Sequence, residues 1–386
     1  MTELEKIWFA KLSVEHANDA RTFAKPEYRG VWNSVINKYS DNAHFVYELL
    51  QNADDAGATE ASFTLSYGVG IFFEHNGTKH FTISNPDTSD EDQRMGRLGC
   101  VNAISAIGQS AKIVEEGVGN QIGKFGIGFK SVFRYTDTPK IYDDNIQFEL
   151  RDRIVPCLID DLPNLRKPGR TLFVLPFRKQ SDAHVFSQEI EDSILKLKFP
   201  LLFLNHLKCI SCQSFQGEAQ RGHSVYRKEE FAEEVVILPN RENVQTRTIR
   251  ITAECGGVTN TEDIRTMSRT NSDGRKYEVG FLIDANGRPV PSQQSTKAFC
   301  YFQTDVDTWL NFYIHAPFRL VDNRQGIIND RYNCDLVAKL SILAADSVLV
   351  FKQLGMLDDP GIVSAKQRGI ILSADWTSQT VANGCN

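Results

Sequence analysis

Two carboxylates and a carboxamide line one side of a segment that has the composition of a helix. Glu48, Asn52 and Asp55 are spaced i, i+4 and i+7, so at about 100° per residue they fall on one stripe. A solvated helix face normally mixes lysine and arginine with its acids, and this stripe carries no base. A carboxylate in such a place can accept a proton from water. The stripe therefore indicates acid–base chemistry, although by itself it also fits an ordinary polar helix edge.

The segment that carries the stripe is predicted to be helical over residues 47–56. It contains no glycine or proline before Gly57, and its leucine, alanine, glutamate and glutamine residues favour helix. Tyr47, Gln51 and Asp54 fall on the side away from an apolar arc that borders the stripe. That arc consists of Phe45, Val46, Leu49, Leu50, Ala53 and Ala56. We therefore expect the stripe to lie where the buried face of the helix meets its open face.

A run of glycines at residues 123–128 is the second feature with chemical meaning. Gly123, Gly126 and Gly128 lead directly into residues 129–133, which look like the start of a helix. Glycines let the backbone approach a polyphosphate without a side-chain clash, and a helix behind them directs N–H groups at the anion. The run is not a P-loop, because no Gly-Lys-Ser/Thr closes it, and it fits the Rossmann fingerprint poorly. Alone, such a run is weak evidence for phosphate binding.

The pattern along the chain predicts two domains and a tail. Residues 1–178 would form the first domain and residues 179–357 the second, with residues 358–386 as the tail. Strands are predicted at 61–65, 71–74, 140–142, 146–150, 170–177, 201–204, 235–238, 247–252, 277–283, 298–302 and 310–315. Helices are predicted within 1–40, at 47–56 and 103–112, up to about 197 after the boundary, and at about 334–354.

Composition and charge limit the classes of partner to expect. The chain has 386 residues, 41% of them hydrophobic and 24% charged, with a net charge of −6. This gives no general reason to expect nucleic acid or an anionic membrane as a partner, while a local basic patch would still leave nucleic acid open. No apolar run reaches the roughly 20 residues that a membrane helix needs, and residues 1–6 lack the apolar core of a signal peptide.

The cysteines point to a reducing compartment. Eight are spread along the chain, which is sparse for a disulfide scaffold. Cys209 and Cys212 form one CxxC pair, but no second pair follows at zinc-site spacing. We therefore interpret both as structural and expect a cytoplasmic protein.

Taken together, the pieces resemble a known family. A helix with Glu-x-x-x-Asn-x-x-Asp-Ala, a strand ending in a glycine turn, a glycine-rich lid and a strand with Gly169-Arg170-Thr171 follow in this order. The order is similar to the ATP-binding domain of the GHKL superfamily, which includes Hsp90, DNA gyrase B, MutL and histidine kinases. It looks closest to the Hsp90 branch, especially sacsin-like proteins. The resemblance is strong over residues 40–178 and weaker over 180–355.

The resemblance implies an α+β fold. The first domain would be a Bergerat α/β sandwich, in which helices cover one face of a mixed sheet. A second α/β domain, similar to the middle domain of Hsp90-type proteins, would follow it.

The resemblance also assigns roles to residues. Glu48 matches the general base that activates water, Asn52 the ligand of Mg²⁺, and Asp55 an acidic position that supports the site. Lys112 would reach the phosphates, and Thr171 matches a threonine that recognises adenine together with an aspartate. The lid, whose backbone N–H groups hold the phosphates, would comprise Gly123, Lys124, Phe125, Gly126, Ile127 and Gly128.

The adenine side of the expected site departs from the family pattern. The family has an Asp-x-Gly turn whose aspartate accepts the adenine amino group, and here the matching stretch is Glu74-His75-Asn76-Gly77. We place Asn76 in the aspartate position, with Asp87 or Asp90 as alternatives. An amide can accept or donate a hydrogen bond. The sequence therefore does not decide between adenine and guanine.

A basic residue of the second domain would touch the γ-phosphate. Arg324 is the candidate for this contact, with Arg319 and Arg331 behind it. For any one of them, a surface ion pair is an equally good interpretation.

The function implied is Mg²⁺-dependent ATP binding and slow hydrolysis. Closure of the lid over about residues 109–128 would dock the second domain, and a homodimer or a larger partner would complete a conformational switch like that of Hsp90-like chaperones. The alternative is a nucleotide-gated regulatory module of a larger assembly, such as a bacterial defence or DNA-processing system. Kinase chemistry is disfavoured, because no phosphoacceptor helix is present.

Overall fold

A computed structural model of the protein describes residues 1–28, 44–106, 128–160, 166–178, 183–240, 242–271, 274–292, 296–321 and 326–357. Within these residues six α-helices and fourteen strands form a mixed α+β fold. The helices are α1 (Glu3–Phe23), α2 (His44–Asp55), α3 (Ser89–Arg94), α4 (Cys100–Ser105), α5 (Ala183–Leu195) and α6 (Arg331–Gln353). Short 3-10 helices cover Pro26–Tyr28, Pro86–Thr88 and Gly128–Arg134.

The strands all belong to one sheet. They are β1 (Glu60–Ser66), β2 (Gly70–His75), β3 (Lys140–Tyr142), β4 (Gln147–Arg151), β5 (Val155–Leu158), β6 (Thr171–Pro176), β7 (Cys209–Gln216), β8 (Ala219–Ile237), β9 (Asn243–Cys255), β10 (Val258–Thr270), β11 (Lys276–Ile283), β12 (Lys297–Cys300), β13 (Phe302–Asp307) and β14 (Tyr313–His315). Their spatial order is β13-β12-β14-β11-β10-β9-β8-β7-β1-β2-β6-β3-β4-β5. Most neighbours are antiparallel, while β1–β7 and β12–β14 are parallel. The predicted mixed sheet of an α+β protein is therefore confirmed.

The parallel pair β1–β7 joins the two halves of the chain. It runs in register from Glu60 opposite Cys209 to Ser66 opposite Phe215. The division into domains at residues 178 and 179 stays a prediction.

Within the described residues two large apolar cores lie along this sheet, and a small third cluster forms around Ile154 and Val155. The larger one contains the apolar arc of α2, the inward residues of β1, β2 and β6, and the turn at residues 201–207. The second contains the inner face of α6 packed on β11 and β14. Burial of apolar side chains is the main favourable term in folding, so α2 is fixed by the larger core.

The side of α2 away from the apolar arc is also buried, which differs from the expected open face. Gln51 is 2% exposed and Asp54 is fully buried. The Asp54 carboxylate accepts the backbone N–H groups of Asn205 at 3.1 Å, His206 at 2.7 Å and Leu207 at 2.8 Å. The residues that cover this side lie about 150 positions later in the sequence, so helix periodicity alone could not predict the burial.

The strand predicted at residues 201–204 is wrong, because these residues form a turn. Its leucines and phenylalanine are buried as expected, but the backbone is turned so that the following N–H groups meet Asp54. Lys228 secures the same turn by donating from Nζ to the carbonyl of Leu204 at 2.6 Å. A short continuous apolar run does not by itself distinguish a strand from another buried segment.

Most other predicted elements overlap observed ones, with several further differences. Residues 129–133 lie in a 3-10 helix of seven residues, Gly128–Arg134, and not in an α-helix. The predicted helix at 103–112 begins earlier, as α4, and ends at Ser105; residues 107–112 lie outside the described part. Helix α3 and strands β5, β7 and β10 had no counterpart among the predictions, and β8 begins well before its predicted start at residue 235. No helix in the described ranges is long and apolar enough to cross a membrane.

The CxxC pair lies on β7, where burial alternates along the strand. Cys212 is buried, whereas Cys209 is partly exposed. Residues three apart on a strand face opposite sides of the sheet. The two thiols therefore cannot share one metal ion or form a disulfide with each other.

Candidate functional site

Glu48 lies in the middle of α2 with its side chain buried. The residue is 2% exposed, and its neighbours Leu49 and Leu50 are fully buried. The Glu48 carboxylate lies directly against Gly128: a Cβ atom added to this glycine would come within 1.8 Å of Oε2. Any side chain at position 128 would collide with the carboxylate. The end of the glycine run and the predicted general base therefore occupy one place in the fold.

Asn52 and Asp55 continue the stripe toward the C-terminal end of α2. They are 5% and 8% exposed. Among the described residues, the Asn52 carboxamide has no hydrogen-bond partner, so its oxygen is available to a ligand. Lys79 donates from Nζ to the backbone carbonyl of Asp55 at 2.7 Å, which satisfies a carbonyl at the helix end.

The 3-10 helix Gly128–Arg134 holds the far end of the glycine run in place. Gly128 through Phe133 are all buried. Lys130 donates from Nζ to the carbonyl of Ile104 at 2.6 Å and to that of Arg153 at 3.3 Å. Ile104 lies just before residues 107–127 and Lys130 just after them. One buried amine thus ties together the two ends of the segment that contains the predicted lid.

Lys130 should make folding stability depend on pH. Burial lowers its pKa to about 7, well below the value of about 10.4 in an unfolded chain. The unfolded state therefore binds more protons than the folded state between these values, and stability rises with pH in this window by up to about 1.4 kcal/mol per pH unit. Lys130→Met removes this contribution. The unfolding free energies of wild type and variant are measured from pH 6 to 9. Above pH 7 the wild-type value should rise relative to that of Lys130→Met. A difference that is constant with pH would contradict the prediction.

Thr171 lies at the start of β6, beside the end of β2. It is opposite His75 in the β2–β6 register, and its hydroxyl donates to the Asp143 carboxylate at 2.7 Å. Asp143 is fully buried and also accepts the N–H groups of Phe81 and Asn145 at 3.3 and 3.0 Å. Sequence reasoning missed Asp143. The family resemblance implies an aspartate beside Thr171. In the structure the aspartate in this place is Asp143, from the turn after β3.

Asn76 is engaged in holding the turn before β1. Its Oδ1 accepts the N–H groups of Thr59 and Glu60, both at 2.9 Å, and its Nδ2 donates to the Thr59 hydroxyl at 2.8 Å. Both lone pairs of the amide oxygen are thereby used. A role for Asn76 in binding adenine stays a prediction: to accept from the base, Oδ1 would have to give up one of these bonds, whereas Nδ2 keeps a second N–H to donate.

Several predicted site residues lie outside the described part of the chain. They are Lys112, Gly123, Lys124, Phe125, Gly126, Ile127 and Arg324. Of the other arginines, Arg319 pairs with Asp330 at 3.2 Å and stacks on Tyr332 at 4.6 Å. Arg331 is exposed at the first position of α6. Of the alternatives to Asn76, Asp87 pairs with Lys11 of α1.

Residues 27–158 match the family model described as the sacsin domain. Over this range the chain is similar to sacsin domains. The matched range includes Glu48, Asn52, Asp55 and Gly128, and the predicted resemblance to sacsin-like proteins is confirmed over it. Thr171 lies after it.

Two relatives share the sacsin-like sequence. Protein NO VEIN of Arabidopsis thaliana is 27% identical over 339 residues, which are 82% of this chain and 11% of that protein. Human sacsin is 29% identical over 202 residues, which are 39% of this chain and 4% of sacsin. The chain therefore spans only a small part of either relative.

Two solved structures overlap loosely with the chain. One is the N-terminal domain of a DNA repair protein, with a TM-score of 0.41 and 11% identity over 79% of this chain and 94% of that one. The other is the ATP-binding domain of topoisomerase IV from Francisella tularensis, with a TM-score of 0.40 and 10% identity over 89% of this chain and 93% of that one. Overlaps of this quality assign no function to the chain.

Proposed function

We propose that the protein binds ATP with Mg²⁺ and hydrolyses it slowly, with Glu48 as the general base. One observation carries the proposal. Within the range that is similar to sacsin domains, the buried carboxylate of Glu48 lies against Gly128, the last glycine of the run that resembles a phosphate-binding lid. A polyphosphate held by that run would bring its terminal phosphate and an attacking water close to the carboxylate.

Glu48 would take the proton from the attacking water. A base must lie within hydrogen-bond reach of the proton that it abstracts, and a rigid support keeps it there. The support is α2 itself, with Leu49 and Leu50 in the core on one side and Asp54 bonded to residues 205–207 on the other. The carboxylate is thus fixed by both halves of the chain.

The residues on the stripe fit a magnesium ion. Asn52 offers a hard amide oxygen one helical turn from Glu48 and has no partner within the described residues. No group of three or more His, Cys, Asp or Glu side chains in the described ranges forms a metal cage, and Mg²⁺ bound to phosphates commonly takes only one or two protein ligands. When bound, the ion would neutralise charge on the phosphate oxygens.

Nucleotide binding would be coupled to the rest of the chain through α2. Closure of a lid over about residues 109–128 would precede chemistry and make turnover slow. The contacts of Asp54 and of Tyr47, whose ring lies 4.9 Å from that of Phe302, give the second half a direct connection to the site. The output would be a cytoplasmic conformational switch of the chaperone type, completed by a homodimer or a larger partner.

Hydrolysis assays separate this proposal from the regulatory alternative. Wild-type protein should release phosphate from ATP in the presence of Mg²⁺ and not in EDTA. Nucleotide binding without turnover, with or without added partners, would favour a nucleotide-gated module. Absence of binding to both ATP and GTP would overturn the proposal altogether.

A further inference from the structure

His75 occupies the end of β2 next to the residues expected to surround the base. It is 4% exposed, and its ring lies 5.8 Å from Phe73 and 6.1 Å from Phe173. Thr171 is directly opposite on β6. His75 and Thr171 therefore project from the same face of the sheet, where neighbouring strands place paired side chains close together.

The hydrogen bonds of His75 identify its tautomer. Nδ1 accepts the backbone N–H of Gly77 at 3.1 Å. Burial lowers the pKa of His75 to about 4, although the nearby Asp143 carboxylate acts in the opposite direction. The ring is thus neutral at physiological pH, and the proton is on Nε2. Burial and the Gly77 bond together make Nε2–H a fixed donor.

This donor has no partner within the described part of the chain. The Nε2–H group is therefore available to an acceptor atom of a ligand. Asp143 cannot serve, because its carboxylate already receives Thr171, His80, Phe81 and Asn145. The hydroxyl proton of Thr171 is likewise given to Asp143, which leaves the Thr171 oxygen as an acceptor.

We propose that His75 is the residue that reads the nucleobase, and that it does so by donating from Nε2 to an acceptor atom of the base. This rests on the proposed nucleotide site. The Asp-x-Gly turn of the resemblance accepts the adenine amino group, whereas His75-Asn76-Gly77 presents a donor in its first position. The site should therefore bind purines through N1, N7 or a 6-oxo group, and it should not require the 6-amino group.

Base analogues test this on the unaltered protein. Binding of ATP, inosine triphosphate and purine riboside triphosphate, which lacks the 6-amino group, is measured by calorimetry with Mg²⁺. Inosine triphosphate and the riboside analogue should bind within about tenfold of ATP, because no amino-group contact is lost. A weakening of both by more than about tenfold would overturn the role of His75, since a lost hydrogen bond to the amino group has that effect or more. If the wild type binds no triphosphate, the nucleotide site itself fails.

Substitutions then locate the contact. His75→Asp replaces the donor by an acceptor and should raise the preference for ATP over inosine triphosphate by about tenfold. His75→Gln retains an N–H donor and should leave the preference unchanged. Asn76→Asp tests the neighbouring position. The proposal would be overturned if Asn76→Asp changed the preference for ATP over inosine triphosphate, or if a folded His75→Asp protein left it unchanged. If His75→Asp does not fold, the analogue series on the wild type decides.

Discussion

Glu48→Gln should abolish ATP hydrolysis while leaving ATP binding intact. The amide has nearly the same shape as the carboxylate and fits against Gly128, but it cannot accept a proton from water. Loss of a general base typically reduces the rate by about 10²- to 10⁴-fold. Phosphate release measured at saturating ATP gives the rate, and calorimetric titration of ATP gives the affinity. The substitution should lower kcat and leave the dissociation constant within about threefold, well below the tenfold that 1.4 kcal/mol represents.

A matched substitution shows whether the effect is specific to this carboxylate. Glu91 lies exposed on α3, and Glu91→Gln removes the same charge from the chain. Its hydrolysis rate should equal that of the wild type. Equal loss in both variants would indicate a general effect of charge, and full activity in Glu48→Gln would exclude Glu48 as the base.

Gly128→Ala should damage both stability and activity. The added Cβ would lie 1.8 Å from Oε2 and 2.2 Å from Cδ of Glu48, so either the carboxylate or the 3-10 helix must move. Overpacking of a buried site costs about 1–3 kcal/mol. Denaturant unfolding should therefore show a lower unfolding free energy, and hydrolysis should be lost because Glu48 is displaced.

The double variant Gly128→Ala/Glu48→Ala isolates this contact. Truncation of Glu48 removes the atoms that collide, so the unfolding free energy of the double variant should exceed the additive expectation by about 0.5–3 kcal/mol, the range for residues in contact. Gly326→Ala is the control, since a Cβ there meets only Val321 at 3.4 Å or more. Strict additivity of the two substitutions would show that the close approach of Gly128 to Glu48 does not exist in solution.

The local part of the site was predictable, because it depends on residues close together in sequence. Absence of glycine and proline and a regular apolar arc predict α2, and the same periodicity places Glu48, Asn52 and Asp55 on one stripe. All three residues are buried, although the face expected to be open beside them is buried as well. The resemblance added the glycine run, whose last residue the structure brings to Glu48.

The parts that depend on distant contacts were not predictable. Asp54 is on the side of α2 expected to be open, and only the arrival of residues 205–207 makes it a buried acceptor. Asp143 reaches Thr171 through the pairing of β3 with β6, which no local pattern encodes. At the glycine turn, a register shift of one residue would place Asn76 and not His75 opposite Thr171. Side-chain alternation along β2 cannot distinguish the two until the register with β6 is known.

Titration of ATP into the wild type and into Asn52→Ala, each with Mg²⁺ and with EDTA, tests the central claim most directly. Wild-type protein should bind ATP more tightly with Mg²⁺ than with EDTA, because the Asn52 oxygen and the phosphates share the ion. Asn52→Ala should remove most of that difference while retaining the fold. Binding that is identical in all four titrations, or the absence of any binding to the wild type, would contradict the assignment of this stripe as the nucleotide–metal site.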